Sequence, residues 1–194
     1  MRKDFLLFLL CLLAGGIANA NAQELVEFKL QRSGAFLTTA GEDYAVVEFQ
    51  GKSAGELYTM VKDNVSEYYE NPEDILTEED NKLTVRGGCK DFVMWNFMMV
   101  ATQFGAFYDL TFRFKDGRIR IDAPVVEDEL IATASVLKKG TSASFKTMLG
   151  SFYKNGDWKE KAKPKIIQIE NYINTTVNQL LGLIKPETAD DDDW

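Results

Sequence analysis

Four cations are concentrated in the segment "DLTFRFKDGRIRID", residues 109–122. Its Asp116-Gly117 pair is typical of a two-residue type I′ turn, which predicts a β-hairpin and fixes its register. In that register Lys115 faces Arg118 and Arg113 faces Arg120, so the cations share one face of the hairpin. Like charges directly opposite each other weaken strand pairing, and a bound anion would relieve them. The predicted anion patch comprises Arg86, Arg113, Lys115, Arg118 and Arg120.

A second interpretation of the same cations needs no ligand. Asp109 and Asp122 lie at the two ends of the hairpin, and the chain has 30 acidic against 22 basic residues. Rows of charge on exposed sheets also prevent edge-to-edge association. By this interpretation, which is the default one, the row is a solvated face balanced by nearby acids.

Catalytic chemistry is narrowly limited by composition. The chain has no histidine, which excludes imidazole bases, Ser-His triads and the commonest transition-metal ligand. Two carboxylates can still act as acid and nucleophile in a hydrolase, but no pair of acids is singled out. The acidic runs Glu78–Asp80 and Asp190–Asp193 lack the spaced ligands and central glycine of a calcium loop. We therefore predict no catalytic residue, no metal site and no cofactor, and assign no role to Cys89.

Residues 94–108 hold the densest group of aromatic and methionine side chains. Most such groups belong to a hydrophobic core. Methionines beside aromatic rings also line sites for apolar ligands or peptides, so a ligand-binding wall is the alternative. The group comprises Met94, Trp95, Phe97, Met98, Met99, Phe104, Phe107 and Tyr108.

The N-terminus predicts export. Arg2 and Lys3 precede an apolar run at residues 5–13 and small residues at 18–22, the pattern of a cleavable signal peptide covering residues 1–22. Cleavage after Ala20 or Ala22 predicts a periplasmic or secreted protein of a Gram-negative cell envelope. No later apolar stretch approaches the roughly 18 residues of a membrane span. We expect one domain at residues 23–185.

The charge balance bears on partners. Cleavage removes two basic residues and one acidic residue, which leaves 20 basic against 29 acidic residues and a net charge of minus nine. Such a charge opposes binding to a polyanion, so we expect no nucleic-acid partner. A protein partner and a small anionic or amphiphilic ligand both remain open.

The elements that must position the cations follow from periodicity. Tyr44–Phe49 predicts a strand, and Ser53 with Glu56 predicts a capping box that starts a helix ending before Asn71-Pro72. Residues 73–81 predict a loop. Strands are predicted at Lys82–Gly87 and at Phe92–Val100, with a bend or bulge permitted at Gly87-Gly88.

The second half of the chain has a weaker pattern after Pro124. A short helix is predicted around Phe145–Phe152, and a long amphipathic helix from Pro164 to about Ile184. We expect a core at about 25–125, a helical part at 126–185 and a disordered acidic tail at 186–194.

Residues 43 to about 122 resemble exported bacterial proteins that carry a domain of unknown function with a TATA-binding-protein-like (TBP-like) fold. The likeness rests on "YAVVEFQGKSAGELY", on "YYENPEDI" and on "FRFKDGRIRI". It implies an α+β fold in β-α-β-β-β-β-α order, with a curved antiparallel sheet and helices packed on one face. None of these motifs is catalytic, and the resemblance implies no established activity.

The resulting hypothesis is an exported, non-enzymatic binding or assembly module whose contact surface is the open face of the sheet. Two alternatives remain: an envelope hydrolase that uses carboxylates alone, and a purely structural domain. A cleft with two carboxylates roughly 5–9 Å apart would favour the hydrolase. An open sheet face would favour the binding module.

Overall fold

The computed structural model describes residues 24–97, 99–134 and 141–185. The predicted signal peptide and acidic tail lie outside the described residues. The helices are α1 (Ala54–Tyr68), α2 (Phe145–Phe152) and α3 (Lys163–Leu180), with a 3₁₀ turn at Pro72–Asp74. The strands are β1 (Phe28–Leu30), β2 (Phe36–Thr38), β3 (Tyr44–Glu48), β4 (Leu76–Glu79), β5 (Lys82–Phe97), β6 (Val100–Lys115), β7 (Arg118–Asp122), β8 (Val125–Ala134), β9 (Ser142–Ser144), β10 (Tyr153–Lys154) and β11 (Asp157–Trp158). This confirms the predicted α+β class.

A seven-stranded antiparallel sheet is the framework of the molecule. Strands β3, β7, β6, β5 and β4 are neighbours in that order, and β8 and β9 extend the sheet beside the first half of β6. The two-residue turn at Asp116-Gly117 sets the predicted register of β6 on β7, with Arg113 opposite Arg120. Two short hairpins, β1–β2 and β10–β11, lie outside this sheet.

All three helices pack on the same face of the sheet. Ser53 and Glu56 form the predicted capping box, and α1 buries Leu57, Val61 and Val65. Burying each of these side chains contributes about 1.5–3 kcal/mol. Helix α3 packs against α1 and β5, and α2 packs against β8. The opposite face, here called the open sheet face, is uncovered by the described residues.

Helix α3 binds the first strand through side chains four residues apart. The helix rises about 6.0 Å over four residues, close to the roughly 6.8 Å over which a strand repeats. Amide or carboxylate oxygens on one face of α3 therefore reach the backbone N–H groups of alternate residues in the extended chain, as in a ladder. The donor and acceptor pairs are Val26 N–H to Asn178 (2.8 Å), Phe28 N–H to Asn174 (2.9 Å) and Leu30 N–H to Glu170 (2.9 Å).

Gly87 and Gly88 allow aromatic rings to pack closely against the two faces of β5. A Cβ at Gly87 would lie 2.4 Å from the ring of Tyr108, and one at Gly88 would lie 3.2 Å from the ring of Phe107. Each glycine therefore makes room for an aromatic ring from β6. The permitted bulge lies just beyond, where the β5–β6 register shifts between Cys89 and Val93.

Two predicted boundaries were wrong. The strand predicted at Phe92–Val100 reverses inside that range, because β5 ends at Phe97 and pairs with Val100, the first residue of β6. Met99 adopts a φ of 66° there, a conformation that a methionine gives no reason to expect. The predicted loop at 73–81 contains β4, whose residues are mostly exposed.

The part predicted as helical after residue 125 also contains strands. Val125–Ala134 forms β8, which is paired with β6 and therefore belongs to the main sheet. The run Glu127–Glu129 obscures the alternation, and a register shift between Ala106 and Tyr108 interrupts it further. The predicted short and long helices, α2 and α3, are confirmed.

Candidate functional site

The open sheet face carries a row of cations that crosses neighbouring strands. Lys82 of β5 is opposite Arg113 of β6, and Arg113 is opposite Arg120 of β7. Val46 of edge strand β3 completes the row beside Arg120. We call this the inner row, and it places three cations directly opposite one another.

A second row lies two residues nearer the hairpin turn. Lys115 of β6 is opposite Arg118 of β7, which is in turn opposite Glu48 of β3. We call this the outer row. Among the described residues, neither Lys115 nor Arg118 forms a salt bridge. The outer row thus places two cations and one carboxylate, Glu48, in line across three strands.

Asp122 lies between the two arginines of the inner row and orients both. Its two carboxylate oxygens accept hydrogen bonds from Arg113 Nε and Arg120 Nε, each at 2.8 Å. The side chain of Asp122 is 23% exposed, whereas those of the arginines are nearly half exposed. Within the described residues the Nη groups of both arginines make no hydrogen bond, so their donors are available to an anion.

Tyr44 fixes the second arginine from the other side. The guanidinium carbon of Arg120 lies 4.2 Å from the centre of the Tyr44 ring, within the range of a cation–π interaction. Arg120 is therefore held between a carboxylate and an aromatic ring. Such an arrangement reduces the side-chain entropy that an arginine loses when it binds a ligand.

The two rows border a groove with a volume of about 560 Å³. This volume lies within the usual range for small-ligand sites, although the groove is open to solvent along the sheet. The turn between β4 and β5 forms one wall, and it contributes Glu79 and Asp80. Glu79 pairs with Lys82 at 3.1 Å, which neutralises the end of the inner row.

Arg86 is separate from this groove. It lies on the open sheet face but forms a salt bridge with Glu127 of β8, and its guanidinium carbon is 5.6 Å from the centre of the Phe107 ring. The structure therefore brings together four of the five residues of the predicted anion patch and places the fifth elsewhere on the same face.

The methionine and aromatic group is divided between several environments. Phe104 and Tyr108 are buried, and Trp95 is half-buried against the core. Met94, Met99 and Phe107 are exposed. The side chains of Phe97 and Met98 lie outside the described residues. The group thus forms no single ligand-binding wall in the part of the chain that is described.

Three tyrosines join the helices to the sheet, of which Tyr108 is buried and Tyr69 and Tyr172 are half-buried. The Tyr108 hydroxyl is 2.9 Å from that of Tyr69 and 3.1 Å from that of Tyr172. Burial raises the pKa of all three hydroxyls, so this tyrosine trio stays neutral at physiological pH. Burial also raises the pKa of the neighbouring Cys89 thiol, which disfavours the reactive thiolate.

Acid–base chemistry gains no support from the described carboxylates. Hydrogen bonding from the Ser53 backbone lowers the pKa of Glu56, and hydrogen bonding from Lys62 lowers that of Glu78. A general acid needs the opposite shift. No group of three or more potential metal-ligating side chains occurs in residues 24–97, 99–134 and 141–185.

Lys82, Tyr44 and the wall at Glu79–Asp80 were missed in the sequence. Their contribution depends on the pairing of β5 with β6 and of β3 with β7, and neither register is set by a recognisable turn. For Asp122 the sequence predicted only that its charge balances the nearby cations. The one available signal was its position two residues after Arg120, on the same face of the strand.

The architecture defines this as a TBP-like α+β fold. A TBP-like protein from Parabacteroides distasonis ATCC 8503 aligns with a TM-score of 0.50 and 13% sequence identity, over 72% of this chain and 89% of that one. A DUF4468 family protein from Bacteroides ovatus ATCC 8483 aligns with a TM-score of 0.51 and 9% identity, over 87% of this chain and 94% of that one.

Both likenesses confirm the predicted resemblance at the level of the fold, and at these identities they show the fold alone. No protein-family model matches the chain, and no curated protein matches it. Neither neighbour's name indicates an enzymatic family. No described helix has the length and apolar character needed to cross a membrane.

Proposed function

We propose that the chain is an exported, non-enzymatic binding module of the cell envelope that contacts its partner through the open sheet face. The observation that supports this most directly is the pair Arg113 and Arg120, held in place by Asp122 on a face that no described residue covers. The Nη donors of the pair point to a partner that carries oxyanions.

The cost of the inner row supports a binding role over a purely solubilising one. Like charges directly opposite each other on a sheet destabilise the pairing of its strands. A face that served only for solubility would do better with alternating signs. Here three cations are placed in line across three strands, and one carboxylate is shared between two of them.

No observation favours the carboxylate hydrolase. The acids nearest the inner row, Glu79 and Asp122, are each engaged with cations. These carboxylates already accept hydrogen bonds from Lys82, Arg113 and Arg120, which would compete with a role in acid–base chemistry. The groove also lies on an open sheet face, whereas the hydrolase hypothesis required a cleft.

The first test is export and ligand capture from the full precursor. We expect expression in a Gram-negative host to yield a processed protein in the periplasm or medium that begins at Asn21 or Gln23. Native mass spectrometry of this protein should then reveal a co-purifying anionic ligand or partner. An unprocessed cytoplasmic chain would contradict the export part of the proposal.

The second test removes the arginine pair. We expect Arg113→Thr with Arg120→Thr to leave or raise the melting temperature, because the loss of two exposed ion pairs of about 0.2–1 kcal/mol each is offset by the end of cation repulsion. The affinity for the anionic ligand or partner recovered in the first test should fall at least tenfold. The control Lys154→Thr with Lys161→Thr removes the same charge from two exposed residues elsewhere and should bind normally. Equal binding by both variants would refute the proposed site.

A further inference from the structure

The spacing of the two rows indicates the shape of the partner. Arg113 and Lys115 are two residues apart on β6, so the inner and outer rows are about 6.8 Å apart. An extended peptide that lies along the strands repeats its side chains on one face at the same interval. An acidic extended segment can therefore present one carboxylate to each row.

The chain itself contains such a segment. Asp190–Asp193, followed by Trp194, is the longest acidic run in the sequence, and its alternate residues supply carboxylates at the required spacing. The segment lies outside the described residues. The last described residue is Lys185, so nine residues follow it in the given sequence.

Two grooves that share Asn64 lie between Lys185 and the hairpin turn that carries the outer row. Ile184 and Lys185 line a cavity with Asn64 of α1, and a second, shallow groove follows the exposed side of α1 from Asn64 back to Lys52. The carbonyl of Lys52 accepts a hydrogen bond of 2.8 Å from Gly117 N–H, in the turn between Lys115 and Arg118. The second groove thus ends at the hairpin turn, and Lys115 and Arg118 flank this turn on the open sheet face.

The length of the segment fits this route. The distance along α1 from Asn64 to its first turn is about 15 Å. Five extended residues span about 17 Å and nine span about 30 Å. Five residue intervals separate Lys185 from Asp190, which is enough to follow α1, and the acidic run then begins near the hairpin turn. Glu56, Asp63 and Glu67 line the route and repel the run from any earlier position.

We propose that Asp190–Asp193 binds the groove between the inner and outer rows, so that the chain's own acidic segment competes with an external partner. This regulation rests on the proposed function of the groove. Exposed ion pairs are individually weak. A tethered segment nevertheless has an effective concentration in the millimolar range, which is enough for substantial occupancy by a weak ligand.

Paramagnetic relaxation tests the contact directly. A spin label is attached to Ala189→Cys in residues 23–194 that also carry Cys89→Ala, and amide signals are compared with and without reduction of the label. We expect strong broadening at residues 113–120 and none at residues 153–158. The control carries Asn at all four positions of Asp190–Asp193 and should lose the broadening. Equal broadening in both proteins, or none in either, would overturn the proposal.

Dilution separates contact within one chain from contact between two. The proposal requires broadening that is independent of protein concentration. Broadening that falls on dilution would mean that the segment docks on a second copy, and it would overturn the intramolecular form.

Competition then separates this proposal from the proposed function. The probe is a synthetic peptide of residues 186–194, titrated into the unlabelled protein and into the four-Asn variant. We expect the peptide to bind the four-Asn variant about three- to tenfold more tightly, because its groove is vacant. Lys115→Gln with Arg118→Gln should abolish this binding, whereas Lys154→Gln with Lys161→Gln should not. If the peptide bound the wild-type protein and the four-Asn variant equally tightly, then Asp190–Asp193 would not occupy the groove. The groove would still be a binding site, so the proposed function would stand.

Discussion

Asn178 is the residue whose replacement tests the ladder between α3 and the first strand most severely. Its side chain is 3% exposed, and Val26, its partner, is 6% exposed. The Asn178 oxygen accepts from Val26 N–H at 2.8 Å, and its amide nitrogen donates to the carbonyls of Val26 (2.9 Å) and Asn174 (2.7 Å). Asn178→Ala leaves both backbone groups of Val26 without these partners.

The expected cost follows from this geometry. Each buried polar group left unsatisfied costs about 1–3 kcal/mol, which gives about 2–6 kcal/mol for the two groups of Val26. Alanine recovers at most about 0.7 kcal/mol in helix propensity. A cavity of about 340 Å³ borders both Val26 and Asn178 and admits water to the broken bonds. We therefore expect the lower part of the range, a loss of about 2–3 kcal/mol.

Urea unfolding followed by circular dichroism measures this loss, and hydrogen exchange at the Val26 amide localises it. The matched control is Asn171→Ala, one turn of helix away from Asn174 and exposed, which should change stability by less than about 0.7 kcal/mol. Two variants of equal stability would refute the structural importance of the ladder. Fast exchange at Val26 in the wild-type protein would refute the hydrogen bonds themselves.

Two further predictions concern the aromatic packing on β5 and β6. Gly87→Ala should lower the free energy of unfolding by about 2–4 kcal/mol in thermal unfolding, because its Cβ would displace the Tyr108 ring. The control is Gly55→Ala in helix α1. A Cβ at Gly55 would meet no atom within 4 Å, so this variant should be as stable as the wild-type protein or more stable. A stable Gly87→Ala protein would contradict this. The raised pKa values of the tyrosine trio mean that stability is full below about pH 10 and falls as pH rises above it, by up to about 1.4 kcal/mol per pH unit for each tyrosine. Tyr172→Phe should flatten this alkaline fall, as measured by unfolding against pH, and an unchanged slope would contradict the assignment.

The parts of the fold that the sequence predicts are those fixed by local chemistry. The Asp116-Gly117 turn determines the pairing of β6 with β7 to the residue, and Ser53 with Glu56 determines the start of α1. Both signals act within four residues. Both can therefore be recognised without knowledge of the remaining chain.

The parts that were missed depend on distant partners. The turn after Phe97 contains no glycine or asparagine, so the reversal between β5 and β6 carries no local signal. Without that pairing, Lys82 cannot be placed beside Arg113. The ladder on α3 is likewise invisible, since Asn174 and Asn178 resemble ordinary surface residues of an amphipathic helix until their partner strand is known.

The candidate site shows the same division. The hairpin alone predicts that Arg113 and Arg120 face each other, and this is what the structure contains. It does not predict which nitrogen atoms of the two arginines donate hydrogen bonds to Asp122. Because Asp122 takes only the Nε–H groups, the row remains able to bind an oxyanion, and only atomic coordinates reveal that distinction.

The link between Val26 and Asn178 joins residues 152 positions apart. The opening strand of the domain consequently lacks its supporting helix until almost all of the polypeptide is present. During synthesis, the leading end of the domain therefore stays without these hydrogen bonds until the last helix has emerged from the ribosome.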